Sequence, residues 1–191
     1  MGSSSVESGT RGRTRRAILS AAAEVLARDR AATLADIARA AEIGRSTLHR
    51  YFPDRDVLLR AAVADAHLVI RQAVQDAAVD EGTPSDAVRR LATALVGTGD
   101  RLLFLYGDPR ALAELDPGEE PDSVDRMVTG LIERGQAEGV FDPTAPVEWL
   151  RDILWALVYA GCESSRRGVL PRHGVADAVV RVLENGIRGQ S

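Results

Sequence analysis

The stretch that decides the fold is AAEIGRSTLHRYFPDRDVLLRAA, residues 40–62. It sets Arg45, Arg50 and Arg55 among His49, Tyr51 and Phe52, in a chain whose net charge is −4. Residues 42–44 read as a turn, and Arg45 to Tyr51 reads as a short helix. Pro53 ends that helix, because the residue before a proline is pushed out of the helical region. Asp54 then caps a long helix from Asp56 to about Asp80. Upstream, Thr33 with Asp36 three residues on forms a capping-box pattern that opens a brief helix from Leu34 to Ala41. Before it, RTRRAILSAAAEVLARDR at 13–30 repeats apolar residues at helical spacing. Ile18, Ala21, Ala22 and Val25 lie on one side, with Arg15, Arg16, Glu24 and Arg28 outside.

The rest of the chain is helical as well. Thr83, Pro84 and Asp86 form a strong helix start, and that helix ends near Gly97 or Gly99. Residues 100–122 hold one or two short helices and an acidic, Pro/Gly-rich loop. Further helices are expected from about Ser123 to Glu138, Thr144 to Arg167 and Val175 to Ile187. This is an all-α chain of about nine helices without internal repeats, in keeping with 45% hydrophobic and only 4% aromatic residues. The expected organisation is a disordered tail at 1–11, a three-helix head at 12–55 and a larger helical body at 56–191.

All 24 basic residues are arginine, so every cationic contact carries a planar, forked donor. Residues 1–60 hold 11 Arg against 7 acids, and residues 61–191 hold 13 Arg against 21 acids. The head is therefore net +4 and the body net −8, a pattern in which only the head meets a polyanion. Cys162 is the one cysteine, which excludes an intrachain disulfide and fits a reducing cytoplasm. The opening MGSSSVESGTRGR lacks the apolar segment of a signal peptide, and no apolar run approaches the ~20 residues a membrane span needs.

Residues 33–60 satisfy the demands of a helix-turn-helix. Ala38 is the small residue at the helix crossing, Ile43 the apolar plug in the turn, and Leu48 the core anchor of the second helix. Such a unit exposes Arg45, Ser46, Thr47, His49, Arg50 and part of Tyr51. A helix of that width enters the major groove of B-DNA, with its first residues reaching base edges.

These residues resemble the TetR family of bacterial transcriptional regulators. The family pattern is met by Thr33, Ile37, Ala38, Ala41, Ile43, Thr47, Leu48, Tyr51, Phe52 and Leu58. The departures are Glu42 at the turn glycine, Gly44 at the usual serine cap, His49 at a phosphate-contacting tyrosine, and Arg55 at a lysine. If the turn is left-handed, Glu42 costs about 1 kcal/mol; otherwise the turn is rebuilt around Gly44.

The DNA-binding residues expected are Thr33, Arg45, Ser46, Thr47, His49, Arg50, Tyr51 and Arg55. Arg45 can fork onto guanine, and Thr47 can meet a thymine methyl or a phosphate. The resemblance assigns His49, Tyr51 and Arg55 to phosphates, with Tyr51 alternatively core. Arg13 and Arg15 add charge from an N-terminal arm or are simply solvated.

In the body, WLRDILWALVYAGC at 149–162 is apolar most of the way round a helix, so it must be covered on most sides. Trp149, Ile153 and Leu157 on that helix, with Val175, Val179, Val182 and Leu183 on the last, are expected to form a dimer interface. The resemblance implies a two-fold homodimer reading a palindromic duplex, and a small-molecule effector bound in the body. His67 falls on the inward stripe of the long helix with Val63, Ile70 and Val74. It is either a satisfied core histidine or a ligand contact. Phe104, Tyr106, Met127, Trp155 and Tyr159 are further pocket candidates, each equally able to be core.

The expected function is a homodimeric, cytoplasmic repressor released from its operator by a ligand, without cofactor, metal or membrane. Two other classes compete with it: a helical ligand-binding or protein-interaction module without DNA binding, and an enzyme. The three histidines lie far apart, and no H-E-x-x-H, P-loop or G-x-S-x-G motif is present, so no catalytic residue is assigned.

Overall fold

The structure, a computed structural model, describes residues 3–107 and 123–187, with the side chains of 3–8 and of residue 187 outside the description. Among the described residues there are nine α-helices, a short 3-10 turn at Arg172–Gly174 and no strand. The helices are α1 Ser3–Arg28, α2 Leu34–Ala40, α3 Arg45–Tyr51, α4 Arg55–Asp76, α5 Pro84–Gly97, α6 Gly99–Tyr106, α7 Ser123–Ala137, α8 Val147–Arg166 and α9 Val175–Ile187. The acidic loop expected after α6 lies outside the described residues.

The described residues form two compact units, 3–68 with 104–107, and 69–103 with 123–187. The division therefore falls within α4 and not at 55/56, because the first turns of α4 pack with the head. Leu58 and Ala62 of α4 are as buried as Ile18, Ala22 and Leu26 of α1, Ile37 and Ala38 of α2, and Leu48 of α3. Full burial of each Leu or Ile favours the fold by about 1.5–3 kcal/mol before entropy is subtracted. Phe104 belongs to this first unit too. It is 2% exposed, with the Arg30 guanidinium 5.5 Å from its ring centroid.

Residues 3–11, expected as a disordered tail, are the first turns of α1. From Gly9 to Arg13 that extension is solvated. It is held by local bonds: the Thr14 hydroxyl donates to the Thr10 carbonyl at 3.1 Å and Arg13 to the Thr10 hydroxyl at 3.0 Å.

In the second unit, α5 buries Ala87, Val88, Leu91, Ala92 and Leu95, a one-sided stripe that follows from the 3.6-residue period. Val124, Val128, Leu131 and Ile132 of α7 and Leu150, Leu154 and Val158 of α8 face the same core. Helices α8 and α9 meet at Gly161, where an added Cβ would stand 2.5 Å from a Val179 methyl and 3.1 Å from one of Val175.

Helix α4 stops at Asp76, earlier than the expected Asp80, because Ala78 turns left-handed at φ 45. The carbonyls freed there are collected by arginine. Arg90 donates to Ala77, Ala78 and Glu81 at 2.7–2.8 Å, and Arg134 to Val79 and Asp80 at 2.8 and 2.7 Å. Cations at a helix C-terminus also oppose its negative dipole end. Helix α8 begins after Thr144, because Asp142 accepts both the N–H and the hydroxyl of Thr144 and holds a turn there.

Candidate nucleic-acid interface

The head is built by caps. Thr33 accepts the N–H of Asp36 at 3.3 Å on its hydroxyl oxygen, while Asp36 accepts the Thr33 N–H at 2.9 Å and its hydroxyl at 2.7 Å. These bonds, with Arg39 adding a weaker attraction, hold the Asp36 carboxyl down at about 2 from its ordinary 3.8. Thr33 thus spends its hydroxyl proton on the cap. The structure thus gives the Thr33 hydroxyl a local capping role beside the DNA contact expected of it.

Helix α2 closes with two bonds, Glu42 N–H to the Arg39 carbonyl at 3.1 Å and Ile43 N–H to the Ala38 carbonyl at 3.0 Å. This is a Schellman closure, which requires a left-handed residue just past the helix. Glu42 is that residue, at φ 55. The turn keeps the geometry for which glycine is suited, and is not rebuilt around Gly44. Gly44 is the N-cap of α3 at φ −70, with no side chain to accept a cap hydrogen bond.

Leu48, 1% exposed, seats α3 in the core. The opposite face carries Arg45, Ser46, His49 and Arg50, all exposed, with Thr47 and Tyr51 half-buried beside them. No carboxylate occurs between Arg45 and Tyr51, so the face is uniformly cationic or polar. Arg50 lies over the Tyr51 ring at 6.0 Å, and the ring is neither fully core nor fully exposed. His49 Nδ1 is 3.3 Å from the Pro53 carbonyl, which orients the imidazole. A cleft of about 200 Å³ separates this face from the start of α2, lined by Thr33, Leu34, Ala35, Arg45, Leu48 and His49. Arg15 of α1 stands 5.6 Å from the Phe52 centroid.

Arg55, expected at a phosphate, is turned to the protein's own backbone. Its guanidinium is half-buried and donates to the carbonyls of Ala32 and Arg30, the latter at 2.7 Å. These carbonyls lie in the α1–α2 link. A forked cation beside two such acceptors satisfies both. Sequence spacing located the residue; which way its head points depended on acceptors distant in sequence.

Of the expected effector side chains, one lines a cavity among the described residues. A cavity of about 340 Å³ in the second unit is lined by Val74, Gln75, Val79, Asp80, Arg126, Met127, Gly130, Leu131 and Arg134. Of the candidates only Met127 is among its walls. Phe104 is core of the first unit, Tyr106 is 40% exposed, and His67, Trp155 and Tyr159 are half-buried outside that lining. The sequence reading missed Arg126 and Arg134 as lining groups, since an arginine gives no periodic signal of facing a cavity.

The expected dimer face also divides. Val175, Val179 and Leu183 are at most 4% exposed in the single chain. They pack within their own subunit, because glycine at 161 lets α9 settle onto α8. Trp149 and Val182 are 59% and 54% exposed, with Ile153 and Leu157 half-buried. The thiol of Cys162 is buried, and burial, with the Asp100 charge adding to it, pushes it up to about 11. No helix among the described residues is long and apolar enough to cross a membrane.

Residues 18–62 match the family model for bacterial regulatory proteins of the tetR family. Over 187 residues, 98% of this chain and 97% of the other, the sequence is 41% identical to the HTH-type transcriptional repressor LfrR of Mycolicibacterium smegmatis. The crystal structure of that TetR-like regulator superposes with a TM-score of 0.74 at 37% identity, covering 94% of this chain and 98% of the other. Its complex with proflavine superposes at 0.68 with 36% identity, covering 95% and 99%.

Proposed function

The chain belongs to the tetR family of bacterial regulatory proteins, regulators and not enzymes, and from that premise we propose that it is a cytoplasmic homodimeric repressor. It holds a palindromic operator through α3 and releases it when a small molecule binds the second unit. The observation that carries this is the outer face of α3. Its cationic and polar side chains stand outward while Leu48 is 1% exposed on the other side. The residues proposed to touch DNA are Arg45, Ser46, Thr47, His49 and Arg50, with Tyr51 at the edge. Glu42 gives no support to a head that has lost DNA binding, since the turn it occupies is left-handed like that of a glycine.

The first unit is the proposed DNA-binding head. The apolar residues left open on the last two helices, Trp149, Ile153, Leu157 and Val182, support a second copy as their cover. Two heads about one duplex turn apart read a palindrome and gain through effective concentration.

Selection of bound duplexes from a random pool tests the reading. Recovered sequences should be palindromic. Arg45→Ala should relax one position per half-site if Arg45 reads a base, or reduce the salt slope by roughly one if it holds a phosphate. Light scattering should give twice the chain mass, and Leu157→Arg should halve it. Proflavine is the first effector probe, because the relative's complex holds it, and release of the selected duplex is the expected result. Failure to enrich any duplex refutes the proposal.

A further inference from the structure

The bond between His49 and Pro53 fixes a proton as well as a ring. The Pro53 carbonyl only accepts, so Nδ1, 3.3 Å away, carries the hydrogen. A neutral ring then has a bare Nε2, whose lone pair meets a phosphate oxygen with repulsion. An imidazolium has a hydrogen on both nitrogens. Nδ1 keeps Pro53, and Nε2 gains a donor and a positive charge. We propose that His49 contacts phosphate only in its protonated form, so that each α3 takes up a proton when it binds DNA. This rests on the DNA-binding function proposed above.

The surroundings set the direction. Arg45, one turn earlier on α3, shares the cleft with His49. From the start of α2, Thr33, Leu34 and Ala35 bring no charge into it, and the Asp36 carboxylate is held by Thr33 and Arg39. On the link to α4, Asp54 is engaged in accepting the Val57 N–H at 2.8 Å. Arg50 follows His49 and leans over Tyr51. Guanidinium groups and carboxylates thus both stand near the ring in the free protein. A duplex adds phosphates, which favour an imidazolium. The complex therefore holds the proton more tightly than the free protein does, and affinity rises as pH falls. A phosphate contact is independent of sequence, so it is measurable without knowing the operator.

The test uses the full chain and a labelled random-sequence duplex at low ionic strength, between about pH 6 and about pH 8. The wild type should lose about tenfold or more in affinity per head across that range. His173→Gln should do the same. His49→Tyr, whose phenol donates without titrating there, should bind with a flat profile, and His49→Gln should bind more weakly and also flat. Circular dichroism checks that each variant keeps its helices. A flat wild type, or a slope that survives in His49→Gln, overturns the proposal while leaving DNA binding intact. Absence of binding at every pH removes the DNA-binding function and this inference together.

Discussion

Arg90 donates from Nη2 to the carbonyl of Ala78 at 2.7 Å, and Ala78 is the left-handed residue that ends α4. The same guanidinium holds Ala77 and Glu81, so one side chain closes three acceptors of a strained turn. Hydrogen bonds to charged groups contribute about 1.5–3 kcal/mol each, with part lost to solvent at a half-buried site. Arg90→Ala should therefore destabilise by about 2–4 kcal/mol in urea unfolding. Arg90→Lys should recover less than half of it, since an ammonium cannot reproduce the fork.

Three helices end in the same pair of bonds. Helix α7 does so through Gly139 and α8 through Gly168, both left-handed, and α2 does so through Glu42. The Cβ of Glu42 is the difference. Glu42→Gly should stabilise the head by about 1 kcal/mol, a rise of about 2–4 °C in the melting midpoint of the 191-residue chain if it melts as one. A fall in the midpoint would mean that the glutamate makes a compensating contact.

The contact of α8 with α9 leaves no room for a methyl at 161. Gly161→Ala should cost about 1–3 kcal/mol by overpacking. Val179→Ala introduced into the same chain should return part of that loss, which a double-mutant cycle reads as coupling between the two sites.

The Asp36 carboxyl titrates at about 2 in the folded chain against an ordinary 3.8. A lowered value means the folded state favours the carboxylate. The stabilisation is present above pH 3.8 and is lost as pH falls from there through about 2. Removing the hydroxyl with Thr33→Val should move the carboxyl titration, followed by NMR, upward toward 3.8. An unmoved midpoint would remove the hydroxyl as the chief cause.

Local signals carried most of the fold. The Thr33 and Thr83 caps, the Pro53-Asp54 stop and the period-3.6 stripes are written in neighbouring residues, and helix starts and stops follow them closely. Neighbours across the fold were not legible in this way. An apolar stripe on α9 announces burial without saying by what, so Val175, Val179 and Leu183 read equally well as an interface until Gly161 draws them onto α8. Arg55 shows the same limit: one side chain suits phosphates and carbonyls alike, and the two carbonyls that claim it lie far back in the chain. The aromatic residues of the body gave even less, because a ring that fills a core and one that lines a cavity share one periodicity.

Both termini of the longest helix after the first are fastened by guanidinium groups: Arg55 at the start, Arg90 and Arg134 at the finish. Guanidinium keeps its charge at any acidity a cell reaches, and it is not a substrate for lysine acetylation. The rigging of α4 is consequently deaf to proton concentration and to amine chemistry. Whatever adjusts this regulator has to work elsewhere, on the reading surface or in the interior of the larger unit, against a frame whose moorings stay constant.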